Sequence, residues 1–147
     1  MDVIAVLQYN RQNYENRIAA NQEKIKKYER AYETLSEFKR IAQQSQEDFH
    51  MINSDKKSVL SDVWMLKKNS ITAQRYYDGI EKEFSGIGTK LVGGVYEVLL
   101  FSASSKLKEY LNILDSCESD IETCQKKISD IDKKIADLQR AQENADQ

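Results

Sequence analysis

Nucleophilic, acid–base and metal chemistry each need a few particular side chains brought together, and this sequence is poor in them. His50 is the only histidine, and Cys117 and Cys124 are the only cysteines. A zinc site takes three or four clustered nitrogen or sulfur ligands, which one histidine and two cysteines far along the chain do not supply. No Ser-His-Asp or Cys-His arrangement can be assembled from the same residues. The run Ser85-Gly86-Ile87-Gly88-Thr89-Lys90 has the residue types of a phosphate-cradling loop. Its spacing is wrong, and no strand precedes it to aim backbone N–H groups at a phosphate. The acidic residues Glu118, Asp120, Glu122, Asp130, Asp132 and Asp137 lack the glycine that turns a calcium loop. They read as a solvated face, or as one that meets a basic partner. The expectation is no catalytic residue, no cofactor and no metal, hence not an enzyme.

The elements that would have to position any site are unusual. There is no proline, and the five glycines, Gly79, Gly86, Gly88, Gly93 and Gly94, fall within one window of sixteen residues. Sandwiches, barrels and doubly wound sheets need breakers far more often than that. At 147 residues, with 40% hydrophobic and 31% charged, the chain fits one domain and is too apolar for a disordered segment. The reading is all-α: an elongated antiparallel helical hairpin or coiled coil with a third, middle helix. Helices are expected over about 3–52, 55–84 and 95–142, with a bend at Asn53-Ser54-Asp55 and a glycine hinge over 85–94. The middle pattern blurs at Lys67-Lys68-Asn69-Ser70, where that helix loosens.

The last helix gives the clearest signal. Leu107, Tyr110, Leu114, Cys117, Ile121, Cys124, Ile128, Ile131, Ile135 and Leu138 alternate spacings of three and four. That is a heptad seam, with Leu107, Leu114, Ile121, Ile128 and Ile135 at position a and the others at d. A lone helix cannot bury such a seam. Leu7, Arg11, Tyr14, Ile18, Asn21, Ile25, Tyr28, Tyr32 and Leu35 offer a matching one. After Leu35 the pattern shifts by one residue and runs on through Phe38, Ala42, Phe49 and Ile52. Asn21 either fixes the register from inside the seam or lies solvated at its edge. The seams close within the chain, on a second copy in a homodimer, or on a different protein. Cys117 and Cys124 sit about 10 Å apart along a helix axis, too far for a disulfide. They read as reduced core residues, with an intermolecular bridge as the alternative.

Charge narrows the partners. Lys+Arg total 22 against 24 Asp+Glu, and no stretch forms a basic arm, so nucleic acid is not expected. Residues 95–147 carry seven basic and eleven acidic side chains, which argues against an anionic membrane surface. The apolar patch from Val95 to Phe101 is interrupted by Glu97 and is too short to span a bilayer, so membrane insertion is not expected. The N-terminal residues lack the basic start of a signal peptide. The expected location is cytoplasmic, with any export by a route that needs no cleaved leader.

One stretch carries a resemblance. Val63-Trp64-Met65-Leu66-Lys67-Lys68-Asn69, followed by Ala73-Gln74-Arg75-Tyr76-Tyr77-Asp78-Gly79-Ile80-Glu81, resembles the small WXG-like helical proteins encoded beside LXG toxins of bacterial type VII secretion, the YwqH-like group. Trp64 matches the tryptophan of the Trp-x-Gly turn, with Leu66 in the place of its glycine. Tyr77-Asp78 is similar to the aromatic-Asp pair a dozen residues on, and Tyr77 with Glu81 matches the Y-x-x-x-[DE] export pattern. The resemblance implies a targeting or chaperone-like partner that binds the helical N-terminal region of a toxin side by side. The partner-binding residues it brings into view are Trp64, Tyr76, Tyr77, Asp78, Glu81 and Phe84. The apolar patch adds Val95, Leu99 and Phe101. A self-assembling structural coiled coil, as homodimer or spacer, is the alternative.

Overall fold

A computed structural model describes residues 2–67 and 70–147, with side chains described except at 63–67, 73, 84, 85 and 87. The protein is all-α. Helix α1 spans Val3–Lys67, α2 spans Ile71–Ser85 and α3 spans Ile87–Ala145. Each start has a local cause. Asp2 Oδ1 accepts from the Ile4 N–H at 3.0 Å, satisfying one orphan donor of the first turn. The Ser70 carbonyl accepts from the Gln74 N–H, and the Gly86 carbonyl from the Lys90 N–H, which opens α2 and α3.

Two expectations about boundaries change. Helix α1 runs unbroken through Asn53-Ser54-Asp55, so residues 55–67 belong to it and the middle helix is shorter than expected. These residues are poor helix formers by only a few tenths of a kcal/mol each, and the helix continues to bury Leu60. The glycine hinge over 85–94 shrinks to Gly86. Gly88, Gly93 and Gly94 are helical, and no described glycine has a positive φ. Gly86 is different: a Cβ there would lie 2.2 Å from the Lys82 carbonyl oxygen, so only glycine fits this junction. The expected loosening at Lys68 and Asn69 lies outside the described residues.

The chain forms two compact units, 1–33 with 108–147 and 34–107. In the first, Arg11 meets Asp132, Arg17 and Asn21 meet Asp120, and Tyr28 meets Tyr110 edge-on at 5.6 Å. Rising numbers on α1 meet falling numbers on α3, so the helices are antiparallel. The α3 seam is buried or half-buried from Tyr110 to Ile135, with Cys117, Cys124 and Ile131 at its centre. Each large side chain so buried stabilises by roughly 1.5–3 kcal/mol.

In the second unit Phe49 packs on Tyr96, ring centroids 6.1 Å apart. The shielded residues of α1 here are Leu35, Ser36, Lys39, Ala42, Ser45, Gln46, Phe49, Asn53 and Leu60, with Lys56 exposed at the one seam position between the last two. The seam keeps the spacing of the preceding turns, so the expected one-residue shift does not occur. Phe38 and Ile52 are instead 46% and 50% exposed. A one-residue shift would turn the helix by about 100° against its partner, and an unbroken α1 keeps the original face inward. On α3 the shielded face starts well before Leu107, at Thr89, Gly93, Tyr96, Leu100 and Ala103.

Candidate helix-binding surface

The heptad of the second unit divides its surface into two flanks. Position g precedes each a residue and position e follows each d residue. Both helices are right-handed and they run in opposite directions. One step back from the seam therefore turns to the same side on each, and the g positions of α1 and α3 share one flank. On α1 they are Phe38, Ser45, Ile52 and Val59, and on α3 Val92, Leu99 and Lys106. The opposite flank holds Ser36, Gln43, His50 and Lys57 with Lys90, Glu97 and Ser104. The first side is apolar apart from Ser45 and Lys106, and the other is polar.

The apolar side stays open although α2 belongs to the same unit. Phe38, Ile52, Val59, Val92 and Leu99 are exposed, and the neighbouring Ile41 and Val95 widen the strip. Phe49 facing Tyr96 sets Ile52 about level with Val92, so the exposed residues of the two helices form one shallow trough. Contiguous exposed apolar surface of this kind makes the flank a candidate interaction site.

The residues expected to bind a partner divide into groups. Val95 and Leu99 lie in or beside this trough, with Val95 58% exposed. Phe101, 76% exposed, is on the outer side of α3. On α2, Tyr76 is exposed, Tyr77 is half-buried, and Asp78 and Glu81 are exposed. Tyr77 and Glu81 are one turn apart on that helix, and Asp78 and Glu81 border a shallow depression with Lys82 and Gly86. The side chains of Trp64 and Phe84 lie outside the described residues. Sequence reasoning missed Phe38, Ile41, Ile52, Val59 and Val92 as surface residues. The available signal was the contrast between g and e positions.

The polar residues of the first unit build a second pattern. Asp120 accepts from Arg17 Nε at 2.8 Å and from Asn21 Nδ2 at 2.6 Å, and pairs with Arg17 through its other oxygen. The Arg17 guanidinium, then the Asn21 amide, hold the Asp120 carboxyl below the usual carboxylate range. Arg11 donates from Nε to Asp132 at 2.8 Å and pairs with Glu15. These bonds tie seam and flank positions of α1 to α3. Asp120 also borders an open, shallow depression on α3 with Asp115, Ser116, Ser119 and Thr123.

Among the described residues no three His, Cys, Asp or Glu side chains are grouped to hold a metal. Cys117 and Cys124 are free thiols buried in the seam, and His50 is exposed on the polar flank. Among the described residues, the apolar stretch within Gln74–Ala145 passes, by length and composition alone, for a membrane-crossing helix, and none of it is buried in the protein. Compared with known protein families, with curated proteins and with solved structures, the chain matches none.

Proposed function

We propose that this chain is a non-enzymatic helical binding protein that holds a helical stretch of a larger protein along its own paired helices. Its client in this reading is the N-terminal region of an LXG toxin of bacterial type VII secretion, which it accompanies to the export machinery from the cytoplasm. The observation that carries the reading is the open apolar flank of the second unit. Long helices presenting an apolar strip suit helix-in-groove recognition. The resemblance around Trp64 and Tyr77-Asp78 suggests which helix is held, and Tyr76, Glu81 and Phe84 extend that region.

Co-expression with the N-terminal region of an LXG toxin, tagged on the toxin, tests the proposal. The two should purify as one complex, and Val95→Asp should abolish it while leaving the helical circular-dichroism spectrum intact. Two well-folded proteins that elute apart would refute it. The alternative, a self-assembling coiled coil, places a second copy on the same strip. It requires a homo-oligomer of the isolated chain by light scattering.

A further inference from the structure

The trough between α1 and α3 in the second unit has one charged rim. Asp48, Asp55 and Asp62 stand seven residues apart along α1, all exposed, one position outside the apolar g residues of the trough. Gln44 donates to Asp48 at 3.1 Å. From Thr34 to Asp62 no lysine or arginine occupies a c or g position of α1. The nearby Arg40 pairs with Glu37, Lys57 is on the polar flank, and the two lysines that border the trough, Lys56 beside Asp55 on α1 and Lys106 at its Phe38 end on α3, each have a partner of their own. The facing rim on α3, at Gly88 and Ser102 on either side of Val95, is uncharged. Between Ile52 and Leu99 the trough is therefore apolar along its floor, acidic along the α1 edge from Asp48 to Asp62 and uncharged along the α3 edge, with Lys106 at its far end.

We propose that this trough takes a single amphipathic α-helix whose apolar stripe is flanked on one side by lysines or arginines at heptad spacing, lying against Asp48, Asp55 and Asp62. The inference rests on the reading of the chain as a helix-binding protein and specifies the surface and the charge of what it binds. From Phe38 to Val59 the strip is about 32 Å long, so the bound helix spans about three heptads. The floor residues are Phe38, Ile52, Val59, Val92, Val95 and Leu99. A second copy of the chain fits worse. Packed trough to trough, it sets the acidic rim against either the same acidic rim or the uncharged rim of α3. Both arrangements desolvate carboxylates without a counter-charge.

Two labelled peptides of about three heptads, alike in their leucine stripe but carrying lysine or glutamate along one flank, test this against the full chain by fluorescence anisotropy. The lysine peptide should bind about tenfold tighter than the glutamate peptide. That preference should fall as salt rises from about 0.05 to 0.5 M. Replacing Asp48, Asp55 and Asp62 together by lysine should reverse the preference. Ile52→Asp with Val95→Asp should abolish binding of both peptides with helicity retained. Equal binding of the two peptides, or a preference unchanged in the triple lysine variant, overturns the charge assignment. If neither peptide binds while the toxin fragment still co-purifies, this trough is wrong and the proposed function stands. If the lysine peptide binds as expected and the toxin fragment does not, the client is wrong and the trough stands. A dimer of the isolated chain, or binding to phosphatidylcholine–phosphatidylglycerol vesicles, that is lost in the Ile52/Val95 variant would give the trough to a second copy or a lipid surface and overturn the proposal.

Discussion

Asn21 donates from Nδ2 to Asp120 Oδ2 at 2.6 Å, joining a seam position of α1 to a flank position of α3. Asn21 is half-buried, so it is neither a free edge residue nor an orphan amide in the seam. Because Asp120 also takes two bonds from Arg17, one carboxylate aligns two successive turns of α1 against α3. A polar residue paired across the seam opposes slippage, since sliding by a turn leaves it without its partner.

The same carboxylate sets an acid limit on the first unit. Its folded pKa lies below the unfolded value because Arg17 and Asn21 donate to it. The stabilisation is therefore full above the unfolded value of about 3.9 and is lost as pH falls through the lower folded value. The urea midpoint of the wild type should drop as pH falls below about 4, and Asp120→Asn should flatten that drop. An identical acid limb in the variant would show that Asp120 is not the group involved.

Ile131 is among the few large side chains buried in the α3 seam. Ile131→Ala should cost about 2–4 kcal/mol in urea unfolding. Ile128→Asp should disrupt the pairing altogether, because it places an unpaired charge in the seam. A chain unaffected by both would mean that the seam does not hold the helices.

Two glycines should respond in opposite directions. At Gly86 a Cβ meets backbone at 2.2 Å, so Gly86→Ala should lower thermal stability by forcing the α2–α3 junction to move. At Gly94 nothing lies within 4 Å of an added Cβ, and the residue is helical. Gly94→Ala should stabilise by roughly 0.5–1 kcal/mol, measured by the same melts.

Neither cysteine should react with a thiol reagent in the native protein. Cys124 is fully shielded and Cys117 nearly so, and reactivity needs an accessible thiolate. Both should label once urea unfolds the chain. Mass spectrometry after mild oxidation should find no bridge between them, since one helix carries both. Rapid native labelling would contradict their placement in the seam.

The all-α class and the seam from Tyr110 to Ile135 were legible because large apolar residues occupy nearly every seam position there. In the second unit the inward face of α1 includes Lys39, Gln46 and Asn53, and that of α3 begins with Thr89 and Gly93. Apolar spacing cannot find such a face. It follows Phe38 and Ile52 to the outside instead, and so suggests a shift that an unbroken helix does not make. The bend at Asn53-Ser54-Asp55 was inferred from residues that favour helix starts, yet burial of Leu60 outweighs their small local preference. Of the binding surface, Val95, Leu99 and Phe101 could be read as an apolar patch. The contribution of α1 became visible only when the heptad was fixed by the packing of Phe49 on Tyr96.

The bond from Arg11 to Asp132 joins residues 121 apart in the chain. A ribosome adds about 5–20 residues per second, so the early half of that pair waits roughly 6–24 s for its mate. Through that interval the greasy side of the nascent first helix, from Leu7 to Tyr32, has nothing of its own to close on. Premature stops just short of residue 110 should accordingly yield stickier, more readily degraded products than stops within the first turns.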